Sequence, residues 1–572
     1  MARVPFCRPL AALALPLAPV LVATFAAACG HSGAGPSAFD GGSTADSTGP
    51  IGDAISTGDG PGPCFTCGGP DGSATWSDFP ASPVLDMPDA GTAAPANAAQ
   101  LFGDPSQGAQ TGGPCLSEPE VGALYPQNWI RPRFVWSGAS GENLFELRLK
   151  VANQTNDLVV YTTSSQWTMP AVMWSALAAH SADQAMTVSV RGGVLSGGAL
   201  TAEALGSTGP LGVAPVSAPG TVVYWSIIPS SSTTALKGFA IGQESVTPVL
   251  VPSQVQELST GCIGCHNATP DGEYASFTSS SNSWGNGFAN IQAGMTGAAP
   301  PWLGAAGKAA VEAPTLGIQT FSAAHWKTGD RIEVSGFAPG DNHEPQLTWF
   351  DLEAQTAPAS GTILRTGDPN YAGAPTWSHD GNTIAYVSTN AQVDGRLDDG
   401  PADIWTVPYN NRAGGMASAL MGASNNGNRN FYPVYSPDDQ WIAFDQVASG
   451  NMYNNPLDEV YAVPAAGGTA TRLDANDPPA CTGLVSPGMT NSWPKWAPQA
   501  QTTPDGRTFY WVVFSSVRDP GKNPQLYITA FVVNPDKTVT TYHSLYLWNQ
   551  PADEDNHTPA WDYFMIPPPP VQ

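Results

Sequence analysis

The sequence predicts an all-β chain: an immunoglobulin- or fibronectin-like β-sandwich followed by a six-bladed β-propeller. Three observations predict it. The composition is turn-rich and charge-poor, with 61 Gly, 55 Pro and 18 Trp and only 12% charged residues over 572 positions. That mixture suits many short strands joined by turns. The stretch 115–219 alternates apolar and polar residues with period two, and from about Gly220 onward the chain repeats itself.

The sandwich is read from individual strands. In "NLFELRLKV", Phe145, Leu147, Leu149 and Val151 face one way, and Glu146, Arg148 and Lys150 the other. "RPRFVW" and "AMTVSVR" repeat the alternation, and "PAVMWSALA" reads as one or two helical turns between strands. Short alternating runs in about 100 residues fit a small sandwich.

The propeller is read from copies of one motif. They are "PTWSHDGNTIAYVS" at Pro375, "PVYSPDDQWIAFDQ" at Pro433, "PKWAPQ" at Pro494 and "PAWDYFMI" at Pro559. Weaker copies begin at Gln319 ("QTFSAAHWKTGDRIEVSG") and His266 ("HNATPDGEYASF"). The copies are spaced by 53 to 65 residues, one four-stranded blade each. The last copy supplies only an inner strand, whereas "TVVYWSII", "LKGFAIG" and "TPVLVP" before Cys262 supply outer strands without one. Joining them gives a composite blade, five more complete the ring over 220–566, and 567–572 is a tail.

These copies resemble the WD40-like repeats of TolB-type propellers, in which a Pro, an aromatic and Ser-Pro-Asp-Gly precede an apolar strand. The departures are Ala268 for the aromatic, and Ala324, His379 and Gln499 near the turn proline. The resemblance implies a cell-envelope protein.

The N-terminus reads as an export signal over 1–28. Arg3 and Arg8 precede an apolar run from Leu10 to Ala28. Cys29 makes it resemble a bacterial lipoprotein signal, which implies acylation at Cys29 and an outer-membrane anchor facing the periplasm or the cell surface. Ala26 stands where such signals usually carry Leu, and ordinary cleavage after Ala28 is the alternative. Residues 29–114 are rich in Gly, Ala, Ser and Pro without apolar periodicity, so a disordered tether is expected. A formal charge of −26 argues against nucleic acid as a partner.

Cysteine usage suits an oxidising compartment. Cys64 and Cys67 could pair, and Cys115 and Cys481 could bridge the two folded regions. Cys262-Ile-Gly-Cys265-His266 has the spacing of a covalent haem c site. The two sulfurs form thioethers to the vinyl groups, and the His becomes the axial iron ligand. A plain disulfide and half a zinc site remain open, while a thioredoxin-like pair lacks its βαβ context. Aligned on the repeat, His266 takes the proline position and should stand at a channel mouth. Ala268 leaves out a large side chain beside it, as a macrocycle would require. His557 is the candidate second ligand, with Met489, His325 and His343 behind it.

The sequence therefore points to an exported, lipid-anchored propeller with one haem c on Cys262, Cys265 and His266. Its role would be electron transfer or redox or ligand sensing with an envelope protein partner. The alternative is a haem-free scaffold binding protein or glycan partners. No nucleophile elbow, P-loop or zinc-protease motif is present and no acid-base pair is evident, so an enzyme using haem is the weaker third reading.

Overall fold

The computed structural model describes residues 78–568 except 90, 256–259, 280–284, 314–317, 338–345, 391–400, 451–454 and 519–521. Six sheets of antiparallel strands stand around one channel. Their innermost strands are Ile263–Ala268, Gln319–Thr320, Tyr371–Trp377, Arg429–Tyr435, Thr490–Trp496 and Asp555–Asp562. The last belongs to the composite blade. It pairs with Thr221–Ile228, which pairs with Thr233–Ala240 and then Thr247–Leu250. Residues more than 300 apart in sequence thus share one sheet, and neither end of the ring peels away without breaking it.

In the copies at Pro375 and Pro433 the turn after the inner strand is built from the motif itself. The Ser378 hydroxyl donates to Asp380 (2.7 Å) and accepts from the Thr383 backbone N–H (3.0 Å). Ser436 does the same with Asp438 and Trp441, at 2.7 and 2.9 Å. Gly381 and Gly506 sit at φ +80° and +87°, where a Cβ would be strained. Asp439 takes that position in its own blade, at φ +58°. Its carboxylate accepts the His379 and Asp380 N–H groups of the neighbouring turn, at 2.8 and 2.9 Å, which gives an acid a reason to stand there. The Gln319 copy replaces the turn with a short helix, Ala323–Lys327, capped by Ser322.

The N-terminal sandwich has a six-stranded and a three-stranded sheet. Phe134, Trp136, Leu147, Leu149, Val188 and Val190 fill the space between them. The helix Ala171–His180 forms where "PAVMWSALA" suggests it, and Trp174 donates to the Trp129 carbonyl at 2.7 Å.

The tether expected over 29–114 does not describe residues 78–114. A strand at Val84–Leu85 extends the six-stranded sheet, and a helix at Ala98–Phe102 covers its outer face. This cover explains why Glu146 does not face solvent. It pairs with Arg191 at 2.6 Å, both side chains about 2–3% exposed, and the Arg191 guanidinium lies over the Phe102 ring. Residues 1–77, with the export signal, Cys29, Cys64 and Cys67, lie outside the described residues.

The sandwich and propeller share one hydrophobic core, which runs from Leu116 and Ile130 to Trp511, Ile528 and Leu547. Arg507–Asp183 (2.6 Å) and Arg518–Glu120 (3.0 Å) cross the junction. A disulfide joins Cys115 to Cys481 across 366 residues. A crosslink over so long a loop restricts the unfolded chain strongly, and native bridges of this kind contribute about 2–4 kcal/mol. Reductant is therefore expected to lower the melting temperature of the wild-type chain and leave a Cys115→Ala/Cys481→Ala variant unmoved. A wild-type melt indifferent to reductant would mean the bridge does not form.

Candidate functional site

The inner strands end at a funnel of about 650 Å³ on one face of the propeller. Each blade contributes the residue that follows the motif's proline or its equivalent: Asn267, Thr320, Thr376, Val434, Lys495 and Ala560. The motif aromatic comes next. Trp377, Tyr435, Trp496 and Trp561 wedge between blades and are at most 5% exposed. Trp496 donates to the Val434 carbonyl of the preceding blade (3.0 Å), and Trp561 packs in one cluster with Phe509 and Trp511 of its neighbour while donating to Pro219, which leads into its own composite blade (2.8 Å). The aromatic of the motif is thus chiefly a joint between blades.

Beneath the funnel, four inner strands carry the same β-bulge. Ala374-Pro375, Tyr432-Pro433, Trp493-Pro494 and Thr558-Pro559 each oppose one residue of the next strand. The first of each pair has positive φ, between +44° and +61°. Bulky residues are seldom found there, so the bulge stores strain that the sheets around it must hold. An aromatic faces the bulge each time: Tyr386, Phe444, Phe514 and Tyr224. Ala374, Tyr432 and Trp493 pack in one buried cluster, with the Tyr432 and Trp493 rings stacked at 3.6 Å.

The Cys-His motif occupies this bulge in its own blade. Register slips between Gly264 and His266, so Cys265 and His266 together oppose Phe277. A strand repeat can hold the motif because the bulge accommodates the extra residue. His266 does not stand at the funnel mouth. Asn267 and Ala268 line the funnel, while His266 lies one layer deeper and is 6% exposed. Nor does Ala268 leave a gap for a macrocycle. It belongs to a buried cluster that takes in Cys262, Trp225 and Phe564, the last from the C-terminal segment.

The structure does bring His266 and His557 together. Burial lowers the His266 pKa to about 4 and that of His557 to about 3, and a charge on His266 would depress His557 further. One His266 nitrogen, Nε2, lies 3.2 Å from the Val223 carbonyl, and the buried Nδ1 has no hydrogen-bond partner among the described residues. The His557 ring packs edge-on against Trp225, centroids 4.8 Å apart. A ring held by a carbonyl through one nitrogen, with the other unused, is how a ligating imidazole is commonly oriented. The His266 ring is therefore oriented as a ligating imidazole, but the pocket that His557 lines holds only about 10 Å³, and the Cys262 side chain would reach a bound group only if its cluster opens. Met489 is buried at the start of its blade. His325 packs between Trp377 and Tyr409, bonded to Asp330 and Gly381 at 2.9 and 3.2 Å, and His343 lies outside the described residues. Among the described residues no three His, Cys, Asp or Glu side chains group as a metal site, so the zinc alternative lacks its donors there.

Deeper polar groups were not legible as a set. Glu333 is fully buried, accepts from Asn286 at 2.5 Å, and is pushed up to about 8 by burial. Asp445 accepts from Ser492 (2.6 Å) and the Trp493 N–H (3.1 Å). Burial holds Asp445 and its neighbour Asp458 well above the usual carboxylate range.

Comparisons with known proteins add little to this geometry. No protein-family model matches the chain, and no curated protein matches it. Solved structures similar to it include a TolB-type protein from Agrobacterium tumefaciens, at 17% identity and TM-score 0.33, covering 59% of this chain and 97% of that one. A gluconolactonase from Xanthomonas campestris follows at 11% and 0.26, covering 50% and 76%. Prolyl oligopeptidase B from Galerina marginata gives 11% and 0.27, covering 55% and 48%. Scores this low carry no argument, and the propeller stands on its own six sheets. Among the described residues no helix is long and apolar enough to cross a membrane.

The buried histidines set a pH dependence. Both have folded pKa values below the ordinary 6.5, so the unfolded chain binds protons that the folded chain refuses. Their contribution is whole above about pH 6.5 and is lost as pH falls toward 4. Glu333 and Asp445, raised by burial, act in the opposite sense. Denaturant midpoints of a His266→Gln/His557→Gln variant should fall less steeply over that window than those of wild type. Parallel curves would show that the histidines are not buried neutral.

Proposed function

We propose that the chain is an exported binding propeller of the cell envelope, tethered through acylated Cys29, that takes a partner into the funnel. The funnel carries this reading: six inner strands converge on a roomy, open-mouthed site, while His266 and His557 are buried beneath it. Pockets of about 300–1,000 Å³ with mixed lining are usual for ligand sites. A photo-crosslinking residue at Lys327, on the funnel rim, is expected to capture an envelope component in cells. The same residue at Val172, exposed on the sandwich helix, should not. Equal capture at both positions, or none at Lys327, contradicts the reading.

The juxtaposed imidazoles favour a second reading: one covalent haem c on Cys262 and Cys265, with His266 and His557 as axial ligands. Such a group supplies one-electron redox chemistry. The chain's part would be to hold His266 through the Val223 carbonyl and to exclude water from both imidazoles, which are 6% and 2% exposed. Protein matured in a host competent for c-type cytochromes should then give a haem-staining band on a denaturing gel, lost in Cys262→Ala/Cys265→Ala. Absence of the band would leave the motif as a variant of the bulge.

A further inference from the structure

The six residues at the funnel floor occupy one equivalent position per blade, and five are neutral. Asn267 donates to the Gln319 carbonyl, Thr320 accepts the Trp377 N–H at 2.9 Å, and Thr376 accepts that of Tyr435 at 3.4 Å. These polar groups are committed to joints between blades, and Val434 and Ala560 offer none. Lys495 is the exception. Its side chain makes no hydrogen bond or ion pair within 4.0 Å among the described residues, although it stands in the middle of the fold in a chain of net charge −26. Burial lowers its pKa to about 8, and Asp562 and Asp445 act on it only at longer range.

A half-buried ammonium without a contact partner is costly unless something supplies one. Asp562 acts on it through space but stands too far off for an ion pair among the described residues. The shape of the site limits what else could. The motif's indole and phenol rings, Trp377, Tyr435, Trp496 and Trp561, are at most 5% exposed and offer a sugar no flat face to stack on, and Tyr563, the exposed ring of the lining, is tied through its hydroxyl to Gln499 at 3.1 Å. Beneath the floor, Ala374, Tyr432 and Trp493 pack together and narrow the channel, so an entering chain must end or turn there.

We propose that the funnel receives an extended peptide whose carboxylate pairs with Lys495. The inference rests on the funnel being the binding site, and its test separates the two. N-acetylated random hexapeptides are made in two pools, one with a free C-terminal carboxylate and one amidated. Each is offered to the whole chain, and retention is read by mass spectrometry. The expected result is retention of carboxylate peptides, reduced about tenfold or more in Lys495→Met and restored in Lys495→Arg. Asp562→Asn, which removes a negative charge lining the same funnel, should raise retention. Free-terminus peptides retained from the first pool place the carboxylate at a chain end. Asp- and Glu-rich peptides retained from the amidated pool place it on a side chain. Thermal melts confirm that each variant is folded.

Retention that is unchanged in Lys495→Met but lost in Ala324→Trp, which fills the funnel, overturns the carboxylate pairing and leaves the funnel as a binding site. Retention indifferent to both variants places peptide binding elsewhere and overturns the inference. If neither pool is retained but an oligogalacturonate probe is, and Ala324→Trp abolishes that, the partner is an acidic glycan and the peptide assignment fails. If no probe is retained, the inference also fails, and crosslinking at Lys327 then decides separately whether the funnel binds anything.

Discussion

The pairing of Asp555–Asp562 with Thr221–Ile228 is the constraint on which the rest depends. A propeller blade is a small twisted sheet with little stability of its own, and each blade borrows its core from its neighbours. An open ring would leave two blade faces wet. The composite blade removes both ends by hydrogen-bonding the two termini of the repeat in one sheet. It also fixes the height of His557 against His266, because the two inner strands become neighbours only when the ring is closed.

Closure then accounts for the strain at the centre. Four strands place a non-glycine residue in a left-handed conformation directly before a proline, with an aromatic facing it. Such a bulge re-aims side chains at the channel, and it persists only where surrounding strands over-determine it. Above the bulge the strands open into a funnel, and below it the channel holds buried carboxylates and amides. The Cys-His sequence sits in the same structural slot, which gives it a structural role whether or not it also carries a group.

Much of the architecture could be read from sequence because the motif is punctuated. Pro, the aromatic and Asp-Gly mark where each inner strand begins and turns, so blade number and the composite blade followed from spacing. Other features depend on register. Tyr386, Phe444, Phe514 and Tyr224 face the bulges, but nothing in their sequence context says so. The helix Ala98–Phe102 was hidden for another reason. Its segment has few apolar residues, and Glu146 and Arg191 looked like the solvent side of alternating strands until that helix was found covering them. His266 was legible as a special residue but not its depth, since its blade lacks the proline that marks the level. Lys495 was invisible as a candidate because a lone lysine on a strand usually points to water. Only the ring of six inner strands shows that this position faces the funnel floor in every blade.

Hydrogen exchange of the intact chain, followed by mass spectrometry, tests the closure most directly. The account predicts that amides of Asp555–Asp562 exchange as slowly as those of Thr508–Val517, a strand in the middle of a blade, because both open only when the ring opens. Fast exchange in Asp555–Asp562 beside slow exchange in Thr508–Val517 would contradict it, and would mean that the composite blade does not hold the ring shut.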